Sequence, residues 1–398
     1  MSDNIDYTFL SEGELKQIEQ EHPVVLWGAG VLGEMTLNIL HEDPLCFVDN
    51  NLKLQGETFE GISVQSPEAL LDLRSKEDIF LVICIQKFKE LHPFLDEHGF
   101  EYGADCALTP MAREYKVLED LRGHEAMVLF SNYDEEGGLY LFDFQEEPEK
   151  VFHGSIRGFT HVNDEIICAS KRGIHRLDDK DFTEIEHGEI DEYDIYGITY
   201  DENADQLILG NTQSDEVSFL DYESLDLVES IPLSDRFDNT GEEQHHINDI
   251  VVVGERIFVL VFSLSGWWRW GVFDGGVYMI HRRTKEMEHL AISDVWMPHS
   301  LKEHGGDLYV LDSMNGDLLK GLKHKQASFQ GFVRGLAFNG KFCYVGQSLH
   351  RHISRMDEQL TTQINPGIHI IDRDNNASRF VPLPEQENIY NIEHVDWL

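Results

Sequence analysis

The chain has 398 residues, of which 41% are hydrophobic, and a formal net charge of −43 at pH 7. That length suits two domains, and the apolar content is enough for two cores. The charge excludes nucleic acid and anionic membrane surfaces as partners, because phosphate binding needs clustered Lys and Arg. No stretch reaches the roughly 20 apolar residues that span a bilayer. The opening MSDNID has neither a basic n-region nor an apolar h-region, so the expected location is cytoplasmic. The five cysteines (Cys46, Cys84, Cys106, Cys168 and Cys343) lie mostly in apolar strand contexts without metal-like spacing. They read as buried free thiols of a reducing compartment. The acidic residues are dispersed, which favours solubility in concentrated salt and self-repulsion at low salt.

Residues 1–110 predict a small Rossmann-like α/β domain. Val24-Val-Leu-Trp-Gly28-Ala-Gly30-Val-Leu-Gly33 reads as strand, Gly-rich turn and helix, and Cys46-Phe-Val-Asp49 as a second strand ending in an acid. Gly28, Gly30, Gly33 and Asp49 are the pattern that holds a pyrophosphate at a helix N-terminus and a ribose at the acid. A helix from Pro67, a buried strand over 79–85 and a helix over 88–98 follow. The unit is too short for a second mononucleotide half. Residues 111–125 predict a linker helix.

Residues 126–398 predict an all-β, six-bladed propeller. One phrase recurs: Arg157-Gly-Phe-Thr, Tyr196-Gly-Ile-Thr, His246-Ile-Asn-Asp, His299-Ser-Leu-Lys, Arg334-Gly-Leu-Ala and Ile392-Glu-His-Val. Each copy but the last precedes a hydrophobic run, at the spacing of propeller blades. The phrase opens the innermost strand of each blade, so its residues line the channel. The last copy ends the chain, and its outer strands lie before the first blade, near Met127 and Gly138. The domain is then closed by both of its ends, which removes two free sheet edges. Seven blades is the alternative, with strands hidden between His350 and Pro366.

Met297-Pro-His-Ser, Leu308-Tyr-Val-Leu-Asp-Ser, Gly331-Phe-Val-Arg-Gly-Leu-Ala-Phe and Asn388-Ile-Tyr-Asn-Ile make residues 125–398 similar to a family of largely uncharacterised bacterial propeller-repeat proteins. That resemblance implies the fold and no firm activity. Gly28 to Gly33, Asp49-Asn-Asn, Gly61-Ile-Ser-Val and Ser66-Pro-Glu resemble the small Rossmann-like domain of sugar-modifying acetyltransferases and methyltransferases. That likeness implies a nucleotide or nucleotide sugar as ligand.

The channel residues suggest chemistry. His246, His299 and His394 fall at comparable points of the phrase, and three converging imidazoles suit zinc or a similar divalent metal. Arg157 and Arg334 suit a bidentate grip on a carboxylate or phosphate. Tyr196 is a candidate general acid or base, and Asn248 and Asp249 are candidate acceptors orienting the imidazoles. The set resembles in architecture, not in sequence, the lyase domain that releases amidated peptides. The Trp267, Trp268 and Trp270 run suits stacking on a sugar or a cation, and His350 and His352 lie in a loop. The expected function is a metal-dependent enzyme, a lyase, hydrolase or isomerase, on a small anionic or sugar-derived molecule. The alternative is a non-catalytic propeller serving as interaction platform or ligand sensor, its His and Arg bonded to backbone carbonyls and ordered water.

Overall fold

The computed structural model describes residues 7–170, 173–188, 194–355 and 361–398. The chain divides into two compact units, Met1–Gly123 and His124–Leu398. No helix among the described residues is long and apolar enough to cross a membrane.

The first unit is a sheet with spatial order Thr58–Phe59, Ile62–Gln65, Cys46–Val48, Val24–Trp27, Phe80–Ile83, Cys106–Leu108. All of its pairings but the first are parallel. Val24–Trp27 and Phe80–Ile83 are buried at every position, which is why they read as unbroken apolar runs. Alternate residues feed two cores. Val25, Trp27, Leu81 and Ile83 face one; Leu26, Phe47 and Val82 face the other. The strands Thr58–Phe59 and Ile62–Gln65 were not expected from the sequence, and neither were the two elements that follow. The helix Glu12–Glu21 buries only Leu15 and starts at a Ser11/Glu14 capping box. The strand Cys106–Leu108 has three residues, too few for a period.

The second unit is a six-bladed propeller of four-stranded antiparallel sheets. The inner strands are Ile156–Val162, Ile195–Asp201, Ile247–Val253, His299–His304, Phe332–Asn339 and Ile392–Val395. Ile392–Val395 pairs with Met127–Asn132, so the last blade is built from both ends of the unit, as expected. The described part of the 349–366 insertion holds one 3-10 turn, Ile353–Arg355, and the ring closes at six blades.

A register break recurs in the inner strands. It falls between Ile156 and Phe159, Ile195 and Gly197, Ile247 and Asp249, His299 and Leu301, and Val333 and Leu336. Such bulges re-aim a side chain and bend the strand. They also explain the glycines of the phrase. A Cβ on Gly158 would lie 2.4 Å from Tyr196 O, and one on Gly197 would lie 2.6 Å from Asp249 Cα and 2.7 Å from Ile250 N. Gly335 has φ +75° and faces Ile392 Cγ1 at 2.7 Å. Neighbouring inner strands approach through these glycines. Gly197→Ala should therefore cost about 2–4 kcal/mol, since rigid backbone must move to admit the methyl. A urea titration of both proteins checks this, and equal midpoints would contradict it.

Candidate functional site

The bulges set the membership of the channel mouth. Counted from the register breaks, the side chains they re-aim are Arg157, Tyr196, Asn248, Ser300 and Arg334. His246 precedes Asn248 by two residues and His299 precedes Ser300 by one. His394 follows Asn391 by three, further along its strand. The three histidines thus stand at different levels, although the phrase aligns them.

Arg157, Tyr196 and Arg334 do come together. The Arg157 guanidinium lies 4.0 Å from the Tyr196 ring centroid. Arg157 and Arg334 both approach the Tyr133 ring, at 5.7 and 5.8 Å. Tyr390 completes the cluster: it packs against Tyr133, Tyr196 and His299, and its hydroxyl donates to Asn248 Oδ1 at 3.1 Å. Arg157 is paired with Asp194. Arg334 is 8% exposed and has no carboxylate partner among the described residues. Its Nη1 reaches Tyr133 Oη at 3.3 Å and Asn388 Oδ1 at 3.4 Å. The Nε atoms of Arg157 and Arg334, Asn248 Nδ2 and His350 Nε2 are buried without a hydrogen-bond partner among the described residues. A cleft of about 620 Å³ opens beside Arg157, lined also by Asp194, Gln213, Glu242, Glu243 and Arg269.

The histidines of the mouth are held firmly. Asp215 accepts the backbone N–H groups of Gln244, His245 and His246. This nest stabilises the left-handed backbone of His246, φ +57°. The His246 ring stacks on Phe262 at 4.4 Å, meets Trp268 at 4.7 Å, and pairs through Nδ1 with Glu243 at 2.9 Å. His245 points away, between Ser263 O and Ser234 Oγ, both at 2.8 Å. The His299 Nδ1 lies 2.8 Å from Ser313 Oγ. Burial, with help from the Arg334 charge, holds this imidazole well below its ordinary pKa, so it is neutral at pH 7. His394 belongs to another place: it stacks on Tyr344 and bonds Asn339 Nδ2 at 2.8 Å.

The tyrosines differ in acidity. Burial pushes the Tyr196 and Tyr390 phenols up. Burial acts the same way on Tyr133, but Arg334 and Arg351 outweigh it and bring that phenol below its ordinary value. Arg351 Nη1 donates to the Tyr133 oxygen at 3.2 Å. Tyr133, Tyr390, Asn388 and Arg351 were not among the site residues expected from the sequence, because none lies in a copy of the phrase, although Asn388 and Tyr390 belong to the closing Asn388-Ile-Tyr-Asn-Ile. The place of Tyr390 just ahead of the last copy was the available signal. Asn248 and Asp249 do not orient imidazoles: Asn248 holds Tyr390, and Asp249 accepts Leu301 N–H at 2.7 Å. Trp267 packs under Arg236 at 4.1 Å, and Trp270 stands on the surface, 77% exposed.

Among the described residues, one group of three side chains has its donor atoms within 4.8 Å of one another, as a metal site needs. It is His175, Glu184 and His187, in blade one. His246, His299 and His394 do not form such a group.

In the α/β unit, the Gly-rich turn has the expected shape. Gly28 has φ +117°, and a Cβ on Gly33 would strike Gly28 O at 2.1 Å, so Gly33 sets the helix-to-strand packing. Gly30 faces open space. The Asp49 carboxylate accepts Ala29 N–H at 2.9 Å and Asn51 N–H at 2.8 Å. It therefore braces the turn. The helix that follows, Val31–Leu37, has only seven residues.

Fold and site together define a six-bladed propeller with a buried arginine–tyrosine mouth, carried with a small parallel α/β unit. Residues 234–396 match the family model described as a domain of unknown function (DUF4915). No curated protein is similar enough to match. Among solved structures, a protein of unknown function from Bacteroides caccae is 10% identical over 68% of this chain and 99% of its own, with a TM-score of 0.50. A chain of a nidogen/laminin complex is 13% identical over 68% of this chain and 98% of its own, with a TM-score of 0.49. A luciferin-regenerating enzyme is 10% identical over 59% of this chain and 78% of its own, with a TM-score of 0.44. At such identities the first of these likenesses speaks for the propeller fold alone, and the other two carry no argument.

Proposed function

We propose that the propeller binds a small carboxylate- or phosphate-bearing molecule at its channel mouth and acts on it by proton transfer. The observation that carries this reading is Arg334, a buried guanidinium without a counter-ion among the described residues and with an idle Nε. A buried charge left unpaired costs several kcal/mol, and an incoming anion offsets that cost. Arg157 adds a second idle N–H across the Tyr133 ring. The acids nearby do not compete for Arg334: Asp194 pairs with Arg157, and Glu243 is shared by His246 and Arg269.

The proton-transfer role falls to Tyr133 in place of Tyr196. Its hydroxyl takes hydrogen bonds from two guanidiniums, which stabilise the phenolate and suit a general acid or base. Neutral His299 is the second group suited to that work. The lyase, hydrolase and isomerase classes all use such a pair. Arg157 and Arg334 keep the anion-gripping role expected of them.

Calorimetry with inorganic phosphate, citrate and glucuronate tests the reading. At least one should bind the parent, and Arg334→Met should weaken it by about 2–5 kcal/mol, the usual cost of truncating one partner of a buried charge pair. Without ligand, Arg334→Met should melt no lower than the parent, because an uncompensated charge is gone. Absence of heat with all three compounds, or full binding by Arg334→Met, would reject the reading.

A further inference from the structure

We propose that His175, Glu184 and His187 hold a zinc-type divalent cation on the outer strands of blade one, at a site independent of the channel mouth. His175 lies on the strand Gly173–Asp178, and Glu184 and His187 on the outermost strand, Glu184–Gly188. His175 pairs with His187 across the two strands, and Arg176 with Glu186. Plain alternation would next set Ile185 opposite Leu177 and turn Glu184 to the far face. The register breaks there, and Glu184 itself pairs with Leu177. The bulge leaves Ile185 in solvent, 56% exposed, and brings the Glu184 carboxylate to the face of the two imidazoles. Exposing an isoleucine to turn an acid inward is the kind of local irregularity a site explains.

The donor atoms converge. The His175 Nε2 lies 2.8 Å from Ser170 Oγ, and its Nδ1 lies 2.6 Å from Glu184 Oε1. His187 Nδ1 lies 3.6 Å from the same oxygen, and the two imidazole centroids are 4.4 Å apart. A metal ion meets all three donors, whereas a proton joins only two of them. The Ser170 contact on the far nitrogen is the outer support that metal-binding imidazoles ordinarily have.

Two imidazoles and a carboxylate are the donor set of zinc and its borderline neighbours, and three protein ligands leave a position for water or substrate. A cleft of about 540 Å³ borders the group, lined by His175 and Ser170 with His153, Ser155, Glu135 and Glu136. The open coordination position has room there for an exchangeable ligand.

The test is zinc titration of the full chain after chelator treatment and dialysis. The parent should take up one equivalent. Loss of an outer-shell partner costs about 10–100-fold in metal affinity, so removal of a ligand should cost about 100-fold or more. Glu184→Gln and His187→Ala should each show that loss, while His299→Ala and His246→Ala should bind as the parent does. Both ligand variants lie on a solvent-facing strand, and metal-free melting close to that of the parent will show them folded. Cobalt should give the visible spectrum of a low-coordinate nitrogen–oxygen site in the parent and not in Glu184→Gln. No zinc uptake by the parent would mean that a proton alone joins His175 to Glu184, and would overturn the proposal. Parent-like uptake by Glu184→Gln and His187→Ala, or loss of uptake in His299→Ala, would overturn it as well.

Discussion

Deleting residues 390–398 should unfold the propeller instead of trimming it. The deletion removes the inner strand Ile392–Val395 of the closing blade and leaves Met127–Asn132 without its partner. Tyr390, Ile392 and Val395 are all buried, and burying side chains of this size contributes about 1.5–3 kcal/mol each. The cut also breaks the exchange in which Ser131 N–H donates to Asn391 O at 3.0 Å and Asn391 N–H donates to Ser131 Oγ at 3.1 Å. The Asn391 Nδ2 bond to Phe159 O at 3.0 Å, which ties the closing blade to the first, goes with it. The sum approaches the whole stability of a domain, about 5–15 kcal/mol. The edge of Met127–Asn132 is exposed besides, and exposed edges aggregate. Sedimentation and thermal melting of the shortened chain check this. A monomer that melts with the parent would show that the last strand does not close the ring.

Replacing Asp249 by Asn should remove a fall in stability that the parent shows between pH 4 and pH 8. Asp249 accepts N–H bonds from Leu301 at 2.7 Å and Ile250 at 2.8 Å. Burial nevertheless pushes its carboxyl up to about 6; Lys302 pulls down and Glu393 adds to the rise. In the unfolded chain the ordinary value is about 3.9. The folded state therefore holds the proton more tightly. Stability falls as pH rises from about 4 through about 6, and the full loss is felt above that window. A shift of about two units corresponds to about 3 kcal/mol. Asn does not ionise, but its Nδ2 cannot accept, so one of the two backbone N–H groups, which sit on different carboxylate oxygens, loses its partner. Asp249→Asn should thus stand below the parent at pH 4 by about 1–3 kcal/mol, the cost of an unsatisfied buried donor, and gain about 2–3 kcal/mol relative to the parent between pH 4 and pH 8. Urea unfolding at the two pH values measures the difference. A difference between the two proteins that is the same at both pH values would mean that ionised Asp249 is held without cost beside Lys302, whose ammonium pairs with Glu393 at 3.1 Å.

The channel shows how far the phrase could be read. It located Arg157, Tyr196 and Arg334 because each sits on a bulge that recurs at one level of the ring. It grouped His246, His299 and His394 because equivalent places in a repeat do not record a one-residue offset from the bulge. Such an offset turns a side chain to the other face of its strand and moves it along the channel by about 3.3 Å. His394, three residues past Asn391, ends against Tyr344 and Asn339. Tyr133 was out of reach for a different reason. It follows the strand Met127–Asn132 of the closing blade, and only ring closure carries it to Arg334.

Local physics was enough for the architecture. Apolar runs of period two separated by turns dictated the blades, strand runs lying ahead of the first copy of the phrase pointed to closure, and unbroken apolar runs dictated a parallel sheet buried on both faces. These are properties of neighbours along the chain. The chemistry depends on residues far apart in sequence and on their registers. Arg334 has no counter-ion among the described residues because of what six blades bring around it. Glu184 faces His175 and His187 because one bulge shifts the outer strand by a residue. No local pattern encodes either fact, since a bulge reflects how the strand twists against its neighbour, and a missing counter-ion is a property of the assembled ring.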